Sequence, residues 1–311
     1  MKPFRKHVAI AIDGGGMRGV IVTRALSILE EHLGEPVHRF VHLAAGTSTG
    51  AIISAGIGAG LSAMEIHALY LSLGRHIFKK SWRTFFWPLT RYRYPSEPLE
   101  QALRQHLGDQ PMSSLWERPE PMDVVITAFD VVENRPRFIK PYKQEYRDLP
   151  IADAVLASSS VPTYFPPVAG RFVDGGVGSY ANPCYLAAYE AQFCLNWDPE
   201  ETTLISLGTG RGPHSVQPGQ PERFHAWGWL QPMLDAFLQS ANDQQVHLVE
   251  TFFQRLDFRR FQVDLKERIE MDDPNAIPAL VRYGAQMAEK IMNDETDAAM
   301  GIEAERAPRS T

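Results

Sequence analysis

Three short stretches carry residue types that can do chemistry together. Asp13-Gly14-Gly15-Gly16-Met17-Arg18-Gly19 follows an apolar, β-branched run. Successive glycines can aim backbone N–H groups inward as an anion-binding concavity, because no Cβ blocks the approach. Gly14, Gly16 and Gly19 also match the G-x-G-x-x-G spacing of a dinucleotide site, which expects an acidic residue at the end of the second strand about 20 residues later. The second strand ends instead in Gly46-Thr47-Ser48-Thr49-Gly50, and Glu30, Glu31 and Glu35 fall within or just after the first helix. That second stretch is G-x-S-x-G between a strand and a helix, where small neighbours allow a serine to sit on a sharp turn. The helix behind it points free N–H groups and a positive dipole end at developing negative charge. The same five residues also suit a tight βα turn with a helix-capping serine. The third stretch, Asp174-Gly175-Gly176, is either a turn or a carboxylate brought by glycines toward another loop.

A serine nucleophile needs a base and an oxyanion hole. A standard α/β-hydrolase places several strands before its serine and then supplies Asp and His in that order. Only one strand is expected before Val41, and His214, His225 and His247 sit in no recognisable turn motif. Asp174 is therefore the candidate base. A carboxylate is a weak base at its ordinary pKa of about 4, and burial in an apolar cleft would raise it into a useful range.

The three motifs in this order and at these spacings resemble the patatin-like phospholipase family, which carries D-G-G-G-x-R-G, G-x-S-x-G and D-G-[GA]. Two flanking stretches resemble it as well: Ala-Ser-Ser-Ser-Val-Pro-Thr-Tyr-Phe-Pro-Pro over 157–167 and Ile-Ser-Leu-Gly-Thr-Gly over 205–210. The likeness covers roughly residues 6–210. It implies a three-layer α/β/α fold with a largely parallel central sheet. It further implies a Ser–Asp dyad, with Ser48 attacking an ester carbonyl and Asp174 taking its proton. Gly14, Gly15 and Gly16 would form the oxyanion hole, and Arg18 would steady that loop or meet a lipid phosphate. Gly46, Thr47, Thr49 and Gly50 would shape the nucleophile turn, and Gly175 and Gly176 the acid loop. The scheme needs no metal and no cofactor, and His38 and His42, four apart without an acidic or cysteine partner close by, are read as polar residues and not as ligands.

The elements that must position these residues read as α/β. Strands are expected over 7–13, 41–47, 124–129, around Phe138, over 171–173 and over 203–207. Helices are expected over 19–33, 49–60, 62–74, 97–107, 151–157, 183–193, 232–253 and 277–292. Strands alternating with helices argue for a largely parallel sheet covered on both faces. No fixed repeat or long linker divides the 311 residues, so one domain over 1–293 is expected, with a frayed tail over 294–311. Hydrophobic residues at 44% and charged residues at 22% suit a packed core and exclude disorder as the main state. The longest apolar stretch, 51–63, is shorter than the roughly 20 residues a bilayer span needs. Cys184 and Cys194 make no disulfide framework, and the apolar run 8–12 leads straight into glycines as a strand would, so a cytoplasmic setting is expected.

A net charge of −6 gives no general attraction for nucleic acid. Residues 75–94 depart from that balance, with six Lys or Arg, seven aromatics and no Asp or Glu. Cations among aromatics suit a bilayer interface, so Lys79, Lys80, Trp82, Arg83, Phe85, Phe86 and Trp87 are expected to dock on a peripheral membrane surface. The alternative is aromatic packing on the core with solvated cations. Trp227, Trp229, Leu230, Met233, Phe237 and Leu238 form a second apolar cluster, read as core or as the wall of an acyl pocket. The expected function is hydrolysis of fatty-acyl esters of phospholipids or lysophospholipids. The alternatives are a nucleotide-binding α/β protein, an acyltransferase and an activator-gated membrane effector.

Overall fold

Strand β1 (His7–Ile12) is buried on every residue after His7, so it must be covered on both faces. The computed structural model, which describes residues 1–78, 90–213, 216, 218–225, 229 and 241–297, shows how. β1 lies at the centre of a sheet with β2 (Leu43–Gly46), β3 (Asp123–Asp130) and β4 (Arg135–Ile139) on one side and β6 (Thr202–Leu207) and β7 (Asp257–Phe261) on the other. Pairings among β1, β2, β3, β6 and β7 are parallel, and β4 is antiparallel to β3. Period-2 alternation splits the strand residues between two cores. Val8, Ile10, Ile12, Val124 and Ile126 join helices α1 (Gly19–Leu33), α3 (Thr49–Gly58), α4 (Ala63–Ile77), α5 (Glu97–Leu107), α6 (Ile151–Ser159) and α9 (Ile277–Asn293). Ala9, Ala11, Leu43, Ala45 and Val125 face α7 (Cys184–Tyr189) and a helix over 241–252, α8. The fold is the expected mixed α/β architecture, with a mostly parallel central sheet between helices.

Two details of the sheet position the chemistry. β1 leads to β2 on one side and lies beside β6 on the other, so the loops after these strands converge where such sheets take ligands. β5 (Phe172–Asp174) runs antiparallel to the second half of β3, with Phe172 opposite Asp130 and Asp174 opposite Ala128. β4 already occupies one edge of that half, so β5 lies on the edge that β2 occupies earlier, where Gly46 is opposite Ile126. β2 and β5 therefore point at each other end to end, with only Thr127 of β3 between their last paired partners.

Several boundaries differ from expectation. The second strand begins at Leu43, because a short helix, α2 (Val37–Phe40), precedes it. β7 was not expected at all. Its Asp257, Arg259 and Arg260 are charged, and hydropathy does not reveal that all three are buried and paired. Of the helix expected over 232–253, residues 232–240 lie outside the described residues, as do the tail over 298–311 and docking residues Lys79, Lys80, Trp82, Arg83, Phe85, Phe86 and Trp87. The second apolar cluster also lies outside them, except Trp229, which is 41% exposed. Within the described part of the tail, Asp297 accepts from the Gln262 N–H at 2.9 Å and from Lys290 at 3.0 Å. Both cysteines are free. Among the described residues no helix is long and apolar enough to cross a membrane.

Candidate active site

Ser48 stands between the end of β2 and the start of α3 with φ 56° and ψ −121°. A non-glycine residue there is strained by about 1–3 kcal/mol, and it persists only when its surroundings hold it. Gly50 permits the tight turn, since a Cβ on it would lie 2.1 Å from the Ile12 carbonyl oxygen. The Ser48 N–H donates to Ser158 Oγ at 2.9 Å, and the Ser159 hydroxyl donates to the Ser48 carbonyl at 3.3 Å. Thr47 Oγ1 is 2.7 Å from Thr127 Oγ1 and donates to the Tyr180 carbonyl at 2.5 Å. The Ser48 side chain makes no capping hydrogen bond to α3. The turn therefore presents the hydroxyl and does not spend it on the helix.

Asp174 ends β5 and is 6% exposed. Its N–H donates to the Ser160 carbonyl at 3.0 Å, and its Oδ1 accepts from the Gly176 N–H at 2.8 Å. Its Oδ2 is buried and accepts no hydrogen bond of good geometry. Burial pushes the carboxyl up to about 6, while the neighbouring Ser48 hydroxyl and the Gly176 N–H work in the opposite direction by favouring the charged form. Three consecutive serines thus tie Ser48 and Asp174 together, Ser158 and Ser159 through side chains to Ser48 and Ser160 through its carbonyl to Asp174. In the sequence this stretch is only part of a family resemblance, and nothing in its residue types reveals these bonds.

The glycine loop can be accounted for group by group. The Asp13 N–H donates to Leu207 O at 3.0 Å, the Gly14 N–H to Ala181 O at 2.8 Å and the Met17 N–H to Met271 O at 2.8 Å. Thr209 Oγ1 donates to Gly14 O at 2.7 Å, and Arg18 reaches Gly15 O and Gly210 O at 3.4 Å each. Gly16 has φ +58°, and a Cβ there would lie 2.4 Å from Met271 O. Among the described residues, the N–H groups of Gly15 and Gly16 donate to nothing in the protein. Of the three glycines expected to form an oxyanion hole, Gly14 differs in donating its amide to Ala181 O. Arg18 stands as a brace between the glycine loop and the turn after β6.

Ser48 and Gly16 open onto a cavity that, with its mouth, encloses about 560 Å³. Its other walls are mainly apolar: Met17, Ile52, Ile77, Phe78, Leu99, Val161, Phe165 and Met271, with Thr49, Tyr70, Ser159 and Tyr164. No histidine among the described residues lines it. His42 Nδ1 accepts from the Val8 N–H at 3.1 Å and its ring packs against Trp197, whereas His38 Nδ1 is buried without a partner. Among the described residues no three His, Cys, Asp or Glu side chains gather in a way that could hold a metal ion.

The raised Asp174 pKa is also a statement about stability. The unfolded carboxyl titrates near 3.8 and the folded one near 6, so the folded state holds the proton more tightly. The stability this provides is full below the unfolded value and is lost as pH rises through about 6. At neutral pH the buried charge then costs on the order of 3 kcal/mol. Asp174→Asn is expected to stabilise the fold by about 2–3 kcal/mol at pH 8 and by nothing below pH 4. Urea denaturation at both pH values checks this, and no gain at pH 8 would mean that the carboxylate is well solvated.

Comparison with known proteins bears on what this arrangement belongs to. A family model described as patatin-like phospholipase matches residues 10–188, a span that contains the glycine loop, Ser48 and Asp174. An intracellular phospholipase A2 of Caenorhabditis elegans is 29% identical over 225 residues, covering 67% of this chain and 20% of that protein. Patatin-1-Kuras 2 of Solanum tuberosum is 29% identical over 264 residues, covering 72% of this chain and 68% of that protein. Among solved structures, VipD from Legionella pneumophila aligns with 94% of this chain and 67% of its own at 12% identity and a TM-score of 0.49. The chain spans about a fifth of the length of the nematode relative and about two-thirds of the potato one. With the family match extending over more than half of its residues, the chain belongs to the patatin-like phospholipase family.

Proposed function

We propose that this chain is a serine lipid acyl hydrolase that cleaves fatty-acyl esters of phospholipids or lysophospholipids through a Ser48–Asp174 dyad. The observation that carries this reading is the meeting of a strained, presented serine with a buried carboxyl whose pKa is raised to about 6, at the wall of an apolar cavity. Ser48 Oγ attacks the ester carbonyl carbon while its proton passes to Asp174. The carbonyl oxygen becomes an oxyanion that accepts the N–H groups of Gly15 and Gly16. Collapse expels the alcohol half of the lipid, which takes the proton from Asp174, and leaves the acyl group on Ser48. Water then attacks the acyl-enzyme, Asp174 takes its proton, and the fatty acid leaves as Ser48 recovers that proton.

The relative named as a phospholipase A2 and the patatin-like phospholipase family support lipid esters as the substrate class. The apolar walls suit an acyl chain, and the phospholipid surface is the partner from which such a substrate is drawn. Docking on that surface falls to Lys79, Lys80, Trp82, Arg83, Phe85, Phe86 and Trp87, cations among aromatics. The same dyad would serve acyl transfer if an alcohol reached the acyl-enzyme in place of water, and product analysis separates the two.

Three outcomes test the dyad together. A fluorophosphonate should add covalently to Ser48, located by peptide mapping, with no adduct in Ser48→Ala. The kcat/KM for a short-chain ester should rise with pH through about 6 and level off above it, because only the ionised carboxyl accepts the serine proton. Asp174→Asn should lower kcat by about 10²–10⁴-fold. No adduct on Ser48 of the wild type, with or without lipid vesicles, would set the dyad aside.

The pocket makes a separate prediction. Val161→Trp should lower kcat/KM for a hexadecanoyl ester by at least about tenfold while leaving a butanoyl ester almost untouched. Equal losses on both esters would show that the acyl chain lies elsewhere.

A further inference from the structure

Asp13 is the acidic residue of the glycine loop, and no step of the proposed reaction uses it. Its side chain is 2% exposed. Both carboxylate oxygens are taken by one guanidinium: Arg260 Nη1 donates to Oδ1 at 2.8 Å and Nη2 to Oδ2 at 2.6 Å. Nη1 also donates to Ser206 Oγ at 2.8 Å. Ala11, Ser206 and Arg260 are successive cross-strand neighbours on β1, β6 and β7. Asp13, two residues beyond Ala11, continues the same face. That face belongs to the core containing Ala11 and Cys184, whereas Met17 and Ile52 of the cavity belong to the core on the other face. Arg260 therefore grips the root of the glycine loop from the side of the sheet opposite the cavity.

The physical case for this grip is geometric. Gly14, Gly15 and Gly16 have no side chains with which to fix themselves, yet oxyanion donors act only when aimed to within a fraction of an ångström. A bidentate fork fixes both the place and the rotation of a carboxylate, and Asp13 is joined directly to the first of those glycines. A buried ion pair is a poor way to gain stability alone, because apolar residues of similar size often do as well or better. Arg260 also lies beyond residue 188, where the family match ends.

We infer that Arg260 is a positioning residue for the oxyanion loop, acting through Asp13 to hold the Gly15 and Gly16 amides on target. The inference rests on the acyl-hydrolase reading and is tested apart from it. The variants are Arg260→Lys, which keeps the charge and loses the fork, and Asp13→Asn with Arg260→Met together, which removes both charges. The double variant should fold, with a melting temperature close to that of the wild type. Its kcat for a short-chain ester should fall by about 100-fold with KM nearly unchanged, and fluorophosphonate labelling of Ser48 should slow equally. Arg260→Lys should recover little of this rate. Amide exchange at Gly14 and Met17, hydrogen-bonded to Ala181 and Met271, should quicken at least about tenfold in both variants. A folded double variant with wild-type kcat, or Lys restoring full rate, would overturn the inference by showing that the pair serves stability alone. If the wild type neither hydrolyses esters nor labels, the hydrolase reading fails. Exchange at Gly14 and Met17 then still decides whether Arg260 orders the loop, and unchanged exchange overturns the inference on its own.

Discussion

A carboxylate can act as a base beside a serine only if it is kept dry and still able to reach the hydroxyl. Here both conditions come from one feature of the sheet, the end-to-end approach of β2 and β5 along a single edge of β3. β2 delivers Ser48 past Gly46 and β5 stops at Asp174, so the two side chains meet where neither strand continues. Had β5 paired one residue further along β3, the period-2 pleat would have turned the Asp174 side chain to the other face. Thr127, between the two pairing sites, closes the gap with its hydroxyl against Thr47.

That arrangement carries two costs, a strained backbone at Ser48 and a charge held out of water at Asp174. Both are offset by contacts that reach the two residues together. Ser158, Ser159 and Ser160 end α6 and bind the Ser48 turn and the strand ending at Asp174 from one place. The glycine loop is held separately, by Arg18 and Thr209 in front and by the Asp13–Arg260 fork behind. The site is thus a junction of loops, each fixed by a rigid element, and among the described residues the amides of Gly15 and Gly16 and Oδ2 of Asp174 are left without a hydrogen-bond partner, as the proposed chemistry requires.

Much of this was legible in the residues themselves. α1, α5 and α9 could be read from apolar periodicity, because one face of each is buried, whereas β1 and α3, buried almost throughout, could be read from unbroken apolar or small runs beside glycines. The three motifs named the candidate serine, acid and glycine loop, and the single strand expected before Val41 argued against the common α/β-hydrolase layout. What stayed hidden depends on pairing across long separations. Arg260 sits in the run Asp-Phe-Arg-Arg-Phe, which reads as solvated until its carboxylate partners are in place. An aspartate that opens a glycine loop is itself a signal to search for a distant arginine. The commitment of the Gly14 amide could not be read either, since it depends on where Ala181 falls in space.

The proposed chemistry depends on the state of one carboxyl, and titrating that carboxyl directly is its sharpest test. Aspartate labelled with ¹³C at the side-chain carboxyl would be followed by NMR across pH, with the Asp174 resonance identified by its loss in the asparagine variant. A midpoint near 6, moving higher when Ser48 is replaced by alanine, is the predicted result, since burial raises the value and the serine hydroxyl lowers it. A midpoint near 4 that ignores the loss of Ser48 would contradict the account, because Asp174 would then be an ordinary solvated carboxylate.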